Sequence, residues 1–252
     1  MGDLTGRVAL VTGAAQGIGY GIAVALAKAG AAIAAVDLNA DGAVRAAEDF
    51  RALGVNAIGI GCDVRDRAQV DAAVDQTVQE LGGLTVLVNC AMAARSGVPL
   101  EEATDEDLRL ALATGPEAAF YFMRAAFPHM TGRDGRIINV RSGSEIQGLV
   151  GFGTYIAAKA AMGGLTRAAA REWGKKGITV NGIMPFSLSP KALAYFDTHP
   201  EELTSALSSL SIPRTGNAET DIGAAVVFLA GPGGSFVTGC TITVDGGGSF
   251  LG

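Results

Sequence analysis

Arg7-Val-Ala-Leu-Val-Thr12-Gly13-Ala14-Ala15-Gln16-Gly17-Ile18-Gly19 decides the architecture. Arg7 to Thr12 is a short apolar run rich in β-branched residues, and both its faces need burial, as in a parallel sheet. A glycine-rich turn follows. Ile18, Ile22, Val24, Ala25 and Leu26 then give a helix pattern that closes at Gly30. A strand, a glycine-rich turn and a helix N-terminus form an anion site. The free N–H groups and the helix dipole face the ligand, and glycine lets a pyrophosphate approach the backbone. The spacing is Gly-x-x-x-Gly-x-Gly, without the Gly-Lys-Ser/Thr of a nucleoside-triphosphate loop. Turns of this kind also serve packing alone.

The alternation continues along the chain. A second strand, 31–36, ends at Asp37, whose carboxylate can accept hydrogen bonds from both hydroxyls of an adenosine ribose and repels a 2′-phosphate. No Arg or Lys directly follows Asp37, which favours NAD over NADP. The structural alternative for Asp37 is a turn or cap before Asn39. A helix over 41–53 leads to a third strand, 57–62, ending at Asp63-Val64. A helix over 67–81 leads to a fourth, 85–89, ending at Asn89-Cys90-Ala91-Met92. The stretch 105–130 is helical, with a kink expected at Gly115-Pro116 because proline lacks the N–H. The fifth strand spans Arg136 to Ser142, the sixth 178–183 and the last 240–244, after a helix over 218–230. This pattern predicts an α/β doubly wound parallel sheet with ligands at the strand C-terminal ends, where Asp37, Asp63, Asn89 and Ser142 fall. A single domain, 1–252, is expected. Segment 187–215 departs from the alternation with two short helix patterns, 191–196 and 201–210. It is either a substrate lid or a two-helix insertion packed on the sheet.

Ser142 to Lys159 carries the candidate chemistry. Tyr155 and Lys159 are four residues apart on a helix and share one face. A cation one turn from a phenol favours the phenolate. Ser142, at the end of the preceding strand, is placed to hold a substrate oxygen beside it. Phenol, cation and hydroxyl make a proton-transfer site for a carbonyl or an alcohol. Tyr-x-x-x-Lys alone is common on helices and gains weight from the anion site upstream.

Composition bounds the alternatives. A net charge of −6 argues against nucleic acid or an anionic membrane as partner. Cys62, Cys90 and Cys240 form no C-x-x-C and read as reduced thiols, and no metal-ligand cluster surrounds His129 or His199. The N-terminus lacks the charged and apolar regions of a signal peptide, and no apolar run reaches the ~20 residues of a membrane span. A cytoplasmic protein without a metal is expected.

Taken in order, Thr12-Gly13-x-x-x-Gly17-x-Gly19, Asp63-Val64, Asn89, Ser142, Tyr155-x-x-x-Lys159, Asn181 with Pro185, and Val244-Asp-Gly-Gly247 resemble the short-chain dehydrogenase/reductase family. The resemblance covers essentially the whole chain. It implies a Rossmann-type sheet of about seven strands and NAD(P)-linked hydride transfer between an alcohol and a ketone. Tyr155 is then the general acid/base, Lys159 holds the nicotinamide ribose and Ser142 binds the substrate oxygen. Gly13, Gln16, Gly17, Ile18, Gly19, Asp37, Leu38, Asp63, Val64, Asn89, Ala91, Pro185 and Ser187 are the implied cofactor contacts. The family also implies a homo-oligomer, tetramer or dimer, assembled through 105–130 and Tyr155–Trp173.

Five positions depart from the family pattern, the first being Cys90 in place of an asparagine. Met92 replaces a glycine, and Gly115 stands where an asparagine is usual, keeping only the carbonyl of a proton-relay site. Phe186 replaces another glycine. Pro190 replaces a threonine, for which Ser187 or Ser189 can substitute. These departures admit an alternative, a cofactor-binding partner subunit or sensor, or a non-redox epimerase or dehydratase. Leu193, Tyr195, Phe196 and Leu207 suggest an alicyclic, aromatic or polyketide-like substrate.

Overall fold

The apolar runs become strands of one parallel sheet. In the computed structural model, which describes residues 3–188, 196–208 and 210–250, the strands are β1 (Val8–Thr12), β2 (Ala32–Asp37), β3 (Ala57–Gly61), β4 (Val86–Asn89), β5 (Gly135–Val140), β6 (Ile178–Pro185) and β7 (Thr241–Val244). Their order is β3-β2-β1-β4-β5-β6-β7. The winding direction reverses between β1 and β4, which opens a crevice at their C-terminal ends. Register keeps those ends level: Val11 pairs with Val88, and Val88 with Ile138.

The helices are α1 (Gly17–Lys28), α2 (Ala40–Ala52), α3 (Arg67–Leu81), α4 (Asp105–Leu112), α5 (Ala118–Met130), α6 (Ser144–Gln147), α7 (Gly153–Trp173), α8 (Pro200–Ser208) and α9 (Ala224–Ala230). Strand side chains alternate between two cores. Val11, Val88 and Ile138 meet Ile22 and Leu26 of α1, Phe50 of α2 and Val227 of α9. Leu10, Leu87 and Ile137 meet Val74 of α3, Phe122 of α5 and Ala169 of α7. Burial on both faces is why β1 and β5 show no polar face toward solvent.

The structure corrects several expected boundaries. β5 stops at Val140, not Ser142. The Arg141 amide still donates to Ile183 O at 2.7 Å, but the chain then turns into α6, a helix too short to show a period. β6 continues to Pro185, past 183. A π-helical turn, Ala113–Glu117, stands at the expected kink, and its wider loop accommodates the N–H that Pro116 lacks. A second π turn, Ala218–Gly223, precedes α9, so the last helix is α-helical only from Ala224. Of segment 187–215, α8 matches the pattern expected over 201–210. Ser189, Pro190, Leu193, Tyr195 and most of the 191–196 pattern lie outside the described residues. No described helix is long and apolar enough to cross a membrane.

Candidate active site

The first half of the site forms where β1 runs into α1. Thr12 Oγ1 accepts from the amides of Cys90 and Ala91, each at 3.0 Å, and so ties the ends of β1 and β4 together. Gly13 has φ +70°, and a Cβ there would lie 3.1 Å from Ala91 Cα. A Cβ on Gly19 would sit 2.8 Å from the Gly13 carbonyl carbon. The backbone therefore makes a cradle that side chains would fill. The N-termini of α2, α3 and α4 are capped by Asn39, Asp66 and Thr104, whereas Gln16 makes no side-chain cap on α1. The first amides of α1 remain available to an anion.

Asp37 closes the cradle's far side. Its Oδ2 accepts from Ala15 N and its Oδ1 from Asn39 N, each at 3.0 Å. Asp37 thus does turn the chain, and its carboxylate keeps further acceptor capacity for ribose hydroxyls. A cleft of about 560 Å³ adjoins it, lined by Gln16, Tyr20, Asp37, Arg45 and Asp49 among others. Leu38 is exposed beside it. Asp63 is gripped through both oxygens by Arg65, whose hydrogen bond holds the carboxyl below its ordinary range, and Val64 is buried. Open donors, absent Cβ atoms and an acid lining the adjoining cleft suit the adenosine diphosphate half of a dinucleotide.

The second half forms where β5 meets α7. Lys159 is buried, and its Nζ donates to Val140 O at 2.6 Å. The same Nζ lies 5.7 Å from the centre of the Tyr155 ring. Phe152 meets that ring edge-on, with centroids 6.1 Å apart. Tyr155 and Lys159 are therefore together, and the Val140 carbonyl that holds Lys159 lies two residues before Ser142. The Ser142 hydroxyl pairs with Ser144 Oγ at 2.8 Å rather than with Tyr155. Cys90 sits nearby, and burial pushes its thiol up to about 11 against the opposing pull of Lys159.

Other expected residues are placed differently. The Asn89 side chain turns into the sheet, where Nδ2 donates to Asn139 Oδ1 at 2.8 Å, and its Oδ1 has no partner among the described residues. Ala91, Pro185 and Ser187 are half-buried at strand ends. Phe186 is half-buried, and its backbone bonds Val244 O and Gly216 N. Two departures meet: a Cβ on Gly115 would lie 3.6 Å from Met92 Sδ and from Ala158 Cβ. The Gly115 carbonyl accepts from Ala118 N. Thr12 and Ser144, and the buried pair Arg141–Glu145, escape a reading by candidate residues. Thr12 had a visible signal, since it ends a strand directly before Gly13. No described group of His, Cys, Asp and Glu could hold a metal ion.

Such a sheet, cradle and Tyr–Lys pair define an oxidoreductase of the dinucleotide-binding α/β class. Comparison with known proteins narrows this. A family model described as "Enoyl-(Acyl carrier protein) reductase" matches residues 13–249. The 12α-hydroxysteroid dehydrogenase of a Clostridium species is 36% identical, with 98% of each chain covered. The 3-oxoacyl-(acyl-carrier-protein) reductase FabG of Pseudomonas aeruginosa is 37% identical, over 97% of this chain and 98% of that one. A 7α-hydroxysteroid dehydrogenase solved with NADH and 7-oxo glycochenodeoxycholic acid superposes with a TM-score of 0.91 at 32% identity, covering 98% and 96% of this chain and that one if taken in turn. The chain belongs to the short-chain dehydrogenase/reductase family.

Proposed function

We propose that this protein interconverts a secondary alcohol and a ketone, with NAD preferred over NADP and Tyr155 as general acid/base. The observation that carries the reading is the Lys159 ammonium 5.7 Å from the Tyr155 ring, at the C-terminal edge of the sheet. In the reductive direction Tyr155 Oη gives its proton to the carbonyl oxygen; in the oxidative direction it takes the alcohol proton. Lys159 places positive charge where negative charge develops on the phenol oxygen, and its bond to Val140 O keeps it there. The Ser142 hydroxyl holds the substrate oxygen beside Tyr155. A nicotinamide cofactor, when bound, supplies hydride exchange at the substrate carbon. Gly13, Gly17, Gly19 and the α1 amides would hold its diphosphate, and Asp37 its adenosine ribose. Asp37 and Asp49, with Arg45 the one cation among the cleft residues named above, support NAD.

The substrate class best supported is a bulky alicyclic ketone. Ile146, Leu149 and Val150, between Ser142 and Tyr155, expose apolar side chains, Val150 by 92%. Two of the relatives act, by name, on hydroxysteroids. Segment 187–215 would serve this reading as a substrate lid.

The test is a rate screen of alicyclic, aromatic and aliphatic ketones and alcohols, with each nicotinamide cofactor, on the protein and its Tyr155→Phe variant. Turnover should fall at least about 100-fold in the variant, the scale of a lost general acid, while NADH still binds by fluorescence. Full activity in Tyr155→Phe refutes the assignment. NADH binding with no turnover of any compound favours the partner-subunit or sensor alternative.

A further inference from the structure

Arginine is rarely buried, yet Arg141, the residue directly before Ser142, is only 9% exposed at its side chain, and Glu145 only 6%. The two are in direct contact through Nη2 and Oε1. Arg141 Nη1 also donates to Thr241 Oγ1 at 2.5 Å, which links the end of β5 to β7. The space for the guanidinium is built from two other elements. A Cβ on Gly163 of α7 would lie 2.6 Å from Arg141 Cζ, and a Cβ on Gly182 of β6 would lie 2.8 Å from Arg141 Cδ. The pair does not face substrate, because its charged ends are turned into the protein.

We propose that Arg141 and Glu145 are positioning residues for Ser142: their buried contact clamps the two ends of the turn 142–144 and fixes the hydroxyl that meets the substrate oxygen. The proposal rests on the role given to Ser142 above. The turn is also held on its outer side. Ser142 O accepts from Glu145 N at 3.2 Å, Gln147 Nε2 contacts Gly248 O, and a Cβ on Gly143 would lie 2.6 Å from Ser249 Oγ. Without the Arg141–Glu145 contact, the turn is tied by its backbone bonds and by the Ser142 hydroxyl's own bonds to Ser144. A buried ion pair contributes little net stability compared with apolar residues of the same volume, but it fixes geometry. That is the function inferred here.

The experiment replaces both partners with apolar residues of similar size, Arg141→Met with Glu145→Leu, so that no unpaired charge is left buried. With the panel ketone that the parent protein reduces fastest, kcat should fall about 10- to 100-fold, the scale of a misplaced reacting group. The NADH dissociation constant should stay within about twofold, since the cradle at α1 is untouched. In a Ser142→Ala background the same double substitution should cost less than about threefold, because residues that act through one group are not additive. An equal loss in both backgrounds overturns the proposal, as does full turnover in the double variant. Arg141→Lys, which keeps a cation for Glu145, should fall between parent and double variant. Hydrogen exchange by mass spectrometry gives a readout that needs no substrate. The amides of 144–148, which bond within this turn, should exchange faster in the double variant while α1 is unchanged. Unaltered exchange there overturns the clamp whether or not any ketone is reduced, so failure of the redox reading and failure of the clamp are separable.

Discussion

Asp37 does two things with one carboxylate. Each oxygen accepts one backbone amide, and each retains acceptor capacity toward the cleft. A hydrogen bond to a charged group contributes about 1.5–3 kcal/mol, or roughly 10- to 150-fold in affinity. Asp37→Ala should therefore raise KM for NAD by about 10- to 100-fold and narrow the gap to NADP. Steady-state kinetics with both cofactors checks this, and an equal loss for both would assign Asp37 to the turn alone. At this scale the sequence was informative wherever neighbours along the chain become neighbours in space. Tyr155 and Lys159 share a helix face through their spacing alone. Arg141 was opaque because its partners other than Glu145 are spread over the chain. Gly163, Gly182 and Thr241 meet it only after β5, β6, β7 and α7 assemble. Asn89 was legible in part for a related reason: it stands at a strand's C-terminal end as expected, and its side chain bonds Asn139 on the adjacent strand.

Among elements, a buried polar line joins β4, β5 and α7. Asn89 Nδ2 donates to Asn139 Oδ1, and Asn139 Nδ2 donates to Thr166 Oγ1 at 3.0 Å, which itself donates to Met162 O. Asn139 is fully buried. Asn139→Ala removes its bonds to Asn89, Thr166 and Met123 Sδ and leaves the Asn89 amide without an acceptor, so urea unfolding should show a loss of about 2–4 kcal/mol. A loss below about 0.5 kcal/mol, as for a surface site, would mean that water replaces the missing side chain. The line also aligns the strand carrying Val140 with the helix carrying Lys159. The seven strands and the long helices were legible because apolar runs and 3.6-residue periods are local signals. α6 was not, since four residues cannot display a period. The π turn at Ala113–Glu117 was half legible: proline announced a disturbance, but the choice of a wider turn over a bend depends on the packing of Thr114 against Ala93 and of Gly115 against Met92.

Over the whole molecule, acid stability follows from carboxylates held by cations and amides. Arg214 and the Asn217 amide hold Asp221 down at about 2, pinning the end of segment 187–215 to the approach to α9. The hydrogen bonds of Arg65 lower Asp63, and those of Arg136 and Arg7 outweigh burial to lower Asp134. A group whose value is depressed on folding stabilises the native state above its unfolded value and loses that contribution as pH falls through its folded value. For Asp221 the window runs from 3.8 down to about 2. Glu145 acts in the opposite sense: burial raises it, so its contribution is full at low pH and is lost as pH rises through its folded value. The urea midpoint should therefore fall as pH drops from 4 to about 2, and Asp221→Asn should flatten that slope. An unchanged slope in the variant would remove Asp221 from the account. The arginine clamp also has a consequence for inheritance. Positions 141, 163 and 182 form one unit in which the order of change matters. A lineage that first gives up the arginine frees Gly163 to acquire a side chain, whereas a Cβ on Gly182 still meets Thr241 Oγ1 at 2.8 Å. One that substitutes either glycine first meets a collision while the arginine remains. Descent through this fold can leave the arrangement by the first route, and once position 163 has gained a side chain it can regain it only after that glycine has returned.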